Sequence, residues 1–267
     1  MRVVILAPIG NSQYSLNTAH LLAQQKDVQV MGIVVRTPWN LARFRSEFKR
    51  DGLRLLRKVV NKWFLRENTL AAGGDETLLS QSRKIQLNEK SLDEWAKNRD
   101  IPILTVTDHN RPDSQLFLEK AAPDLIVFTG GGLIRENILR IPRLGIVNCH
   151  SGWLPEYRGM DVIEWAVLKA GSLRPEVGIS LHFMDRGVDT GPILLREKVE
   201  LKKEDTFEGI RQRMQPMMVN LIIKGIGGLR DKSLKVKLQK PGDGRQYYVM
   251  HPRLQTVAGK RLNRGQS

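Results

Sequence analysis

After Arg2, apolar residues run without a break through VVILA at 3–7 of the predicted strand RVVILA (2–7), and the turn-forming PIGNS follows at once. Within 12–25, Leu16, Ala19, Leu22 and Ala23 recur at helical spacing. A second mostly apolar stretch, VQVMGIVV at 28–35, interrupted only by Gln29 and Gly32, completes the unit. Strand, helix and strand with short connections predict the opening of a parallel α/β sheet. The alternation then stops. Residues 39–66 place Leu41, Phe44, Phe48, Leu55, Val59, Val60 and Trp63 at roughly helical intervals with Arg and Lys between them, and 67–86 read as a polar loop. The segment 37–86 is therefore expected to be an insertion.

The pattern resumes with a helix over 91–100, a strand at 101–106, and a helix over about 113–121 with Asp113 as candidate cap. The strand DLIVFTGGG at 124–132 ends in a glycine turn. After a short helix come the strand GIVNCH at 145–150 and a helix over 162–171 that ends on Gly171. Strands follow at 178–185 and 193–201, joined by RGVDTGP. Asp205 and Glu208 read as a capping box for a last helix that Pro216 kinks, and GRQYYVM at 244–250 as an edge strand. The expected architecture is α/β: an open, mostly parallel twisted sheet with helices on both faces, Rossmann-like. It spans 1–229, with a basic helical insertion, and 230–267 form a basic C-terminal extension.

Composition fits a soluble globular chain of 267 residues, long enough for a substantial core. A single cysteine excludes an internal disulfide framework and a multi-cysteine metal site, and fits a reducing, cytoplasmic setting. The first ten residues read as a buried strand rather than a signal peptide. MMVNLIIKGIGGL at 217–229 is too short for a membrane span and is interrupted by Asn220 and Lys224. The net charge of +15 is localised: 39–67 carry nine Lys/Arg against three Asp/Glu, and 230–267 carry ten against two, so these two segments supply 14 of the 15 charges. Either segment suits an anionic membrane surface, a nucleotide diphosphate or tRNA, or is simply a solvated face of a packed helix.

Chemistry concentrates in two stretches. In GIVNCHSGWLPEYRG at 145–159, side chains alternate faces along the strand, so Asn148 and His150 share a face and Cys149 points the other way. That separates the thiol from its neighbouring histidine and leaves Cys149 as a small buried hydrophobe. Asn148 and His150 sit at the carboxyl end of a predicted central strand, where open α/β sheets bind ligands. A satisfied structural histidine is the alternative. The five histidines form no pair at metal-ligand spacing, so no metal is expected. In MDRGVDTGPI at 184–193, Gly187 and Gly191 bracket Asp189, which can reach a histidine on the next strand or serve as a turn aspartate.

Together these stretches resemble the signature of the folate-dependent formyltransferases, which include glycinamide ribonucleotide, methionyl-tRNA and sugar N-formyltransferases. The shared pattern is Asn148 and His150; Leu154, Pro155, Arg158 and Gly159; Asp185, Gly187, Asp189, Thr190 and Gly191. The resemblance runs from about 88 to 210 and more faintly through 1–36. It implies 10-formyltetrahydrofolate as formyl donor and an amine as acceptor. It gives Asn148 the role of oxyanion donor, His150 that of proton carrier, and Asp189 that of holding His150. The pterin would lie against Thr129, Gly130, Gly131, Gly132 and Leu133 and against Asp185, Gly187 and Val188. The acceptor would meet Gly10, Asn11 and Ser12 and Tyr157, Arg158 and Gly159.

The tail is too short for the C-terminal barrel of the methionyl-tRNA enzymes, and the phosphate-binding turn of the glycinamide ribonucleotide enzymes is not kept at Gly10–Ser12. The basic helix and the tail are similar to members found with bacterial surface-polysaccharide genes. The implied acceptor is thus a small-molecule amine, an amino sugar or its nucleotide- or lipid-linked form. The implied setting is cytoplasmic or peripheral to the inner membrane. A methionyl-tRNA acceptor and simple hydrolysis of the donor are the alternatives.

Overall fold

The structure is a computed structural model, and it describes residues 1–37, 76–171 and 175–264. The helix expected over 39–66 lies outside these residues. Seven strands form the main sheet in the order β3-β2-β1-β4-β5-β7-β8. They are β1 (Arg2–Ala7), β2 (Gln29–Arg36), β3 (Ile103–Val106), β4 (Leu125–Phe128), β5 (Gly145–His150), β7 (Gly178–Phe183) and β8 (Ile193–Lys198). The first five are parallel; β7 runs antiparallel to both β5 and β8. The chain winds outward from β1 in both directions, so the sheet has its topological switch between β1 and β4.

Burial explains the unbroken apolar runs. In β1, Val3, Ile5 and Ala7 join one core layer and Val4 and Leu6 the other, all fully buried. The first layer includes Leu16 and Leu22 of α1 (Gln13–Ala23) and Leu221 and Ile222 of α7 (Phe207–Arg230). The second includes Leu118 of α4 (Pro112–Ala121) and Ile138 of α5 (Glu136–Leu139). Helices thus cover both faces, as the pattern predicts.

Several local expectations are corrected. The polar stretch expected as a loop up to residue 86 contains a helix, α2 (Leu78–Lys84), capped by Thr77 and tied to α1 by Asn17 and Gln13. Between α2 and α4 lies α3 (Leu92–Lys97). Arg111, not Asp113, precedes α4; Asp113 sits inside the first turn. Thr206 caps α7 through the Gly209 amide, while Asp205 binds Arg213 instead. The helix α7 is continuous across Pro216.

GRQYYVM does not extend the main sheet. Its residues Arg245–Tyr247 form β9, which pairs parallel with β6 (Tyr157–Gly159) in a separate two-stranded sheet. A further helix, α8 (Pro252–Arg264), packs on α6 (Val162–Ala170), burying Ala258 and Leu262. Burial of Leu262 contributes roughly 1.5–3 kcal/mol. Tyr247 stacks on Tyr157 with ring centroids 5.6 Å apart and tilts against Trp165 at 5.2 Å. The basic tail is therefore folded onto the domain. Among the described residues no helix is long and apolar enough to cross a membrane.

Gly159 makes the β6–β9 contact possible. Its φ is +96°, and a Cβ there would lie 2.1 Å from the Tyr247 carbonyl oxygen. Gly159→Ala should destabilise the protein by about 1–3 kcal/mol; an unchanged urea midpoint would contradict the close approach.

Candidate functional site

The site forms where β5 and β7 lie side by side, with Asn148 opposite His182 and His150 opposite Ser180. Val147 and Cys149 enter the core beside Leu221 and Ile222, so Asn148 and His150 occupy the other face. Burial pushes the Cys149 thiol up, with the Glu197 charge adding to it, which leaves an inert side chain.

The loop between β7 and β8 brings Asp189 over this edge, with a left-handed backbone at φ 54°. Its Oδ2 lies 3.5 Å from His150 Nδ1 and accepts the Gly159 amide hydrogen at 2.9 Å. Its Oδ1 lies 3.4 Å from His182 Nε2. His150 Nε2 donates to the Tyr157 carbonyl at 3.0 Å, which leaves Nδ1 as the ring position that can take up a proton beside Asp189. His182 Nδ1 donates to the Phe183 carbonyl at 2.8 Å, so its Nε2 faces Asn148 Nδ2 at 3.3 Å as well as Asp189. Gly152 leaves room for the His150 ring: a Cβ there would lie 2.5 Å from Nε2.

Burial lowers the His150 pKa, and His182 adds to this; Asp189 and the Tyr157 carbonyl oppose it. For Asp189, burial acts upward but is outweighed by the His182 hydrogen bond, the charges of both imidazoles and the Gly159 amide, bringing it to about 2. Near neutrality the carboxylate is ionised and His150 neutral, and the ion pair forms when His150 takes a proton. Because folding depresses Asp189, its contribution to stability is present above its unfolded value near ~3.9 and is lost as pH falls toward about 2.

A cleft of about 340 Å³ opens beside this cluster at the carboxyl ends of β4 and β5. Asn148 belongs to both. Ser12, Tyr14, Thr129, Ser151 and Arg211 contribute polar groups to the walls, with Met214 and Met218 of α7 opposite. Arg211 Nη2 donates to both oxygens of the buried Glu164, at 2.5 and 2.7 Å. The Tyr14 hydroxyl is buried without a hydrogen-bond partner.

The family model described as Formyl transferase matches residues 66–226, more than half of the chain. The chain belongs to this family. It is 37% identical over 141 residues to a methionyl-tRNA formyltransferase of Pseudomonas entomophila, a match covering 52% of this chain and 44% of that protein. The chain thus spans less than half the length of this curated relative. The formyltransferase fold is shared with a phosphoribosylglycinamide formyltransferase from Bacillus halodurans (TM-score 0.54, 20% identity, 87% and 97% of the two chains). It is shared equally with a sugar N-formyltransferase from a Shewanella species (TM-score 0.57, 12% identity, 98% and 87%).

The structure brings Asn148, His150 and Asp189 together. It adds His182, which the sequence reading passed over because only the β5–β7 register puts it opposite Asn148. Of the expected donor-binding residues, Thr129 is tied to Ser15 and to the Leu6 carbonyl at the cleft wall, and Gly130, Gly131 and Gly132 follow with φ above +100°. Leu133 is 74% exposed beside them. Asp185 shapes its own loop, accepting from the Gly187 amide and the Thr190 hydroxyl; Val188 is half-buried.

Among the expected acceptor contacts, Ser12 caps α1 and lines the cleft, Asn11 is exposed, and the Gly10 carbonyl accepts from the Leu92 amide. Tyr157 and Gly159 serve His150 and Asp189 through their backbone, and Arg158 has a buried Nε without a partner.

Asp189→Asn removes the charge that holds the His150 pKa up. NMR titration of the variant should place the His150 pKa lower than in the parent protein; an unchanged or higher value would refute the assigned coupling.

Proposed function

We propose that the protein transfers a formyl group from 10-formyltetrahydrofolate to the primary amine of a small acceptor. The observation that carries this reading is the Asp189 carboxylate held between His150 and His182, with Asn148 linking that cluster to the cleft. Attack of a neutral amine on the formyl carbon generates an oxyanion, which the Asn148 amide is suited to receive. The amine then sheds a proton and the departing N10 gains one. His150, neutral at rest and stabilised as a cation by Asp189, carries that proton at Nδ1. The pterin is read against the backbone of 129–133 and the 184–190 loop.

For the acceptor, an amino sugar or its nucleotide- or lipid-linked form is the preferred reading. The cleft has the size of a small-molecule pocket and offers hydroxyl and guanidinium groups, among them the unpartnered Tyr14 hydroxyl. The folded basic tail would keep such an enzyme near anionic acceptors on the cytoplasmic side of the inner membrane. Methionyl-tRNA is the second reading, favoured by the 37% identity to the Pseudomonas entomophila enzyme.

Tetrahydrofolate release should be followed against amino-sugar nucleotides, glycinamide ribonucleotide and methionyl-tRNA. Release with an amino-sugar nucleotide supports the preferred acceptor, release only with methionyl-tRNA supports the second, and release without any amine makes the protein a hydrolase. His150→Ala should lower turnover about 10²- to 10⁴-fold and Asn148→Ala about 10²- to 10³-fold with the fold intact. The acid limb of the parent's rate profile should fall below the ordinary histidine value near ~6.5. Parent-like rates in the His150 variant would sink the assignment.

A further inference from the structure

Asp189 is gripped at its backbone as well as at its carboxylate. Gln239, in the basic tail beyond the matched segment, reaches across from the extended chain that follows α7. Its Nε2 donates to the Asp189 carbonyl at 3.0 Å and to the Gly191 carbonyl at 2.6 Å. Two carbonyl acceptors fix the amide's orientation, because only the NH₂ end supplies two donors. The Oε1 end is then buried without a partner, an arrangement that is unfavourable by itself. Two hydrogen bonds between Ile193 and Lys237, each 2.8 Å, anchor the same stretch against β8.

The grip matters because of what Asp189 must do. Its left-handed backbone is unfavourable for a residue with a side chain, and it aims the carboxylate at two imidazoles and the Gly159 amide simultaneously. The loop's own bonds, from Gly187 and Thr190 to Asp185, shape its start and leave the Asp189–Gly191 carbonyls to Gln239.

We propose that Gln239 is a positioning residue for the formyl-transfer site: it locks the Asp189–Gly191 backbone so that the carboxylate stays between His150 and His182. The tail is by this reading a structural part of the active site. The proposal deepens the formyltransferase reading and, for its kinetic arm, rests on it.

The test compares the full-length chain with Gln239→Met, which keeps the size, removes both donors and deletes the unpartnered oxygen, and with Gln239→Glu, which turns an acceptor toward the two carbonyls. Both variants should lower kcat roughly 10- to 100-fold at unchanged KM for the amine. The acid limb should move to lower pH, since a displaced Asp189 no longer supports the His150 cation. Imidazole NMR reads the same displacement without any reaction: the His150 and His182 ring signals should shift in Gln239→Met. Parent-like kcat with unshifted ring signals would overturn the proposal, as would a kcat loss with an unchanged acid limb and unshifted rings. If the parent protein transfers no formyl group to any acceptor, the functional reading fails and the ring signals alone decide the role of Gln239.

Discussion

A carboxylate buried between two imidazoles is the constraint around which the rest of the site is arranged. Burial opposes the ionisation of Asp189, and His182, His150 and the Gly159 amide together outweigh it. Each of those groups comes from a different element: β5, β7 and β6. The sheet register, the loop that carries Asp189 and the short β6 strand must therefore all be correct before the charge is tolerated. Cooperation of this kind makes His150 responsive, since its Nδ1 faces a fixed negative charge in a poorly solvated place.

Much of this was legible from residues alone. Continuous apolar runs at 3–7 and 125–128 identify strands buried on both faces, and the alternation within GIVNCH separates Asn148 and His150 from Cys149. Asp189 stands out because glycines flank it. His182 did not, because its role depends on a strand pairing that no local pattern encodes. The helix caps were misassigned for a related reason. Asp205 carries the residue type of a cap, but a bidentate partner, Arg213, takes its carboxylate, and Thr206 one position later assumes the role.

The tail shows how composition can mislead about architecture. Its charge suits external partners, yet its apolar and amide side chains decide where it sits. Ala258 and Leu262 pack on α6, Tyr247 lies between Tyr157 and Trp165, and Gln239 inserts beneath the Asp189 loop. The tail lysines, with Arg245, Arg253 and Arg261, remain exposed, while the backbone behind them completes the domain.

The parallel pairing of Gly159 with Tyr247 joins segments far apart in the sequence. Such a contact has a high loop-closure cost and cannot form until the later strand has left the ribosome. The main sheet, by contrast, is complete once β8 has emerged. During synthesis there is accordingly an interval in which the sheet can assemble while Gly159, and through it Asp189, still lacks its final support. Maturation of the site would be a late event, separate in time from the folding of the core.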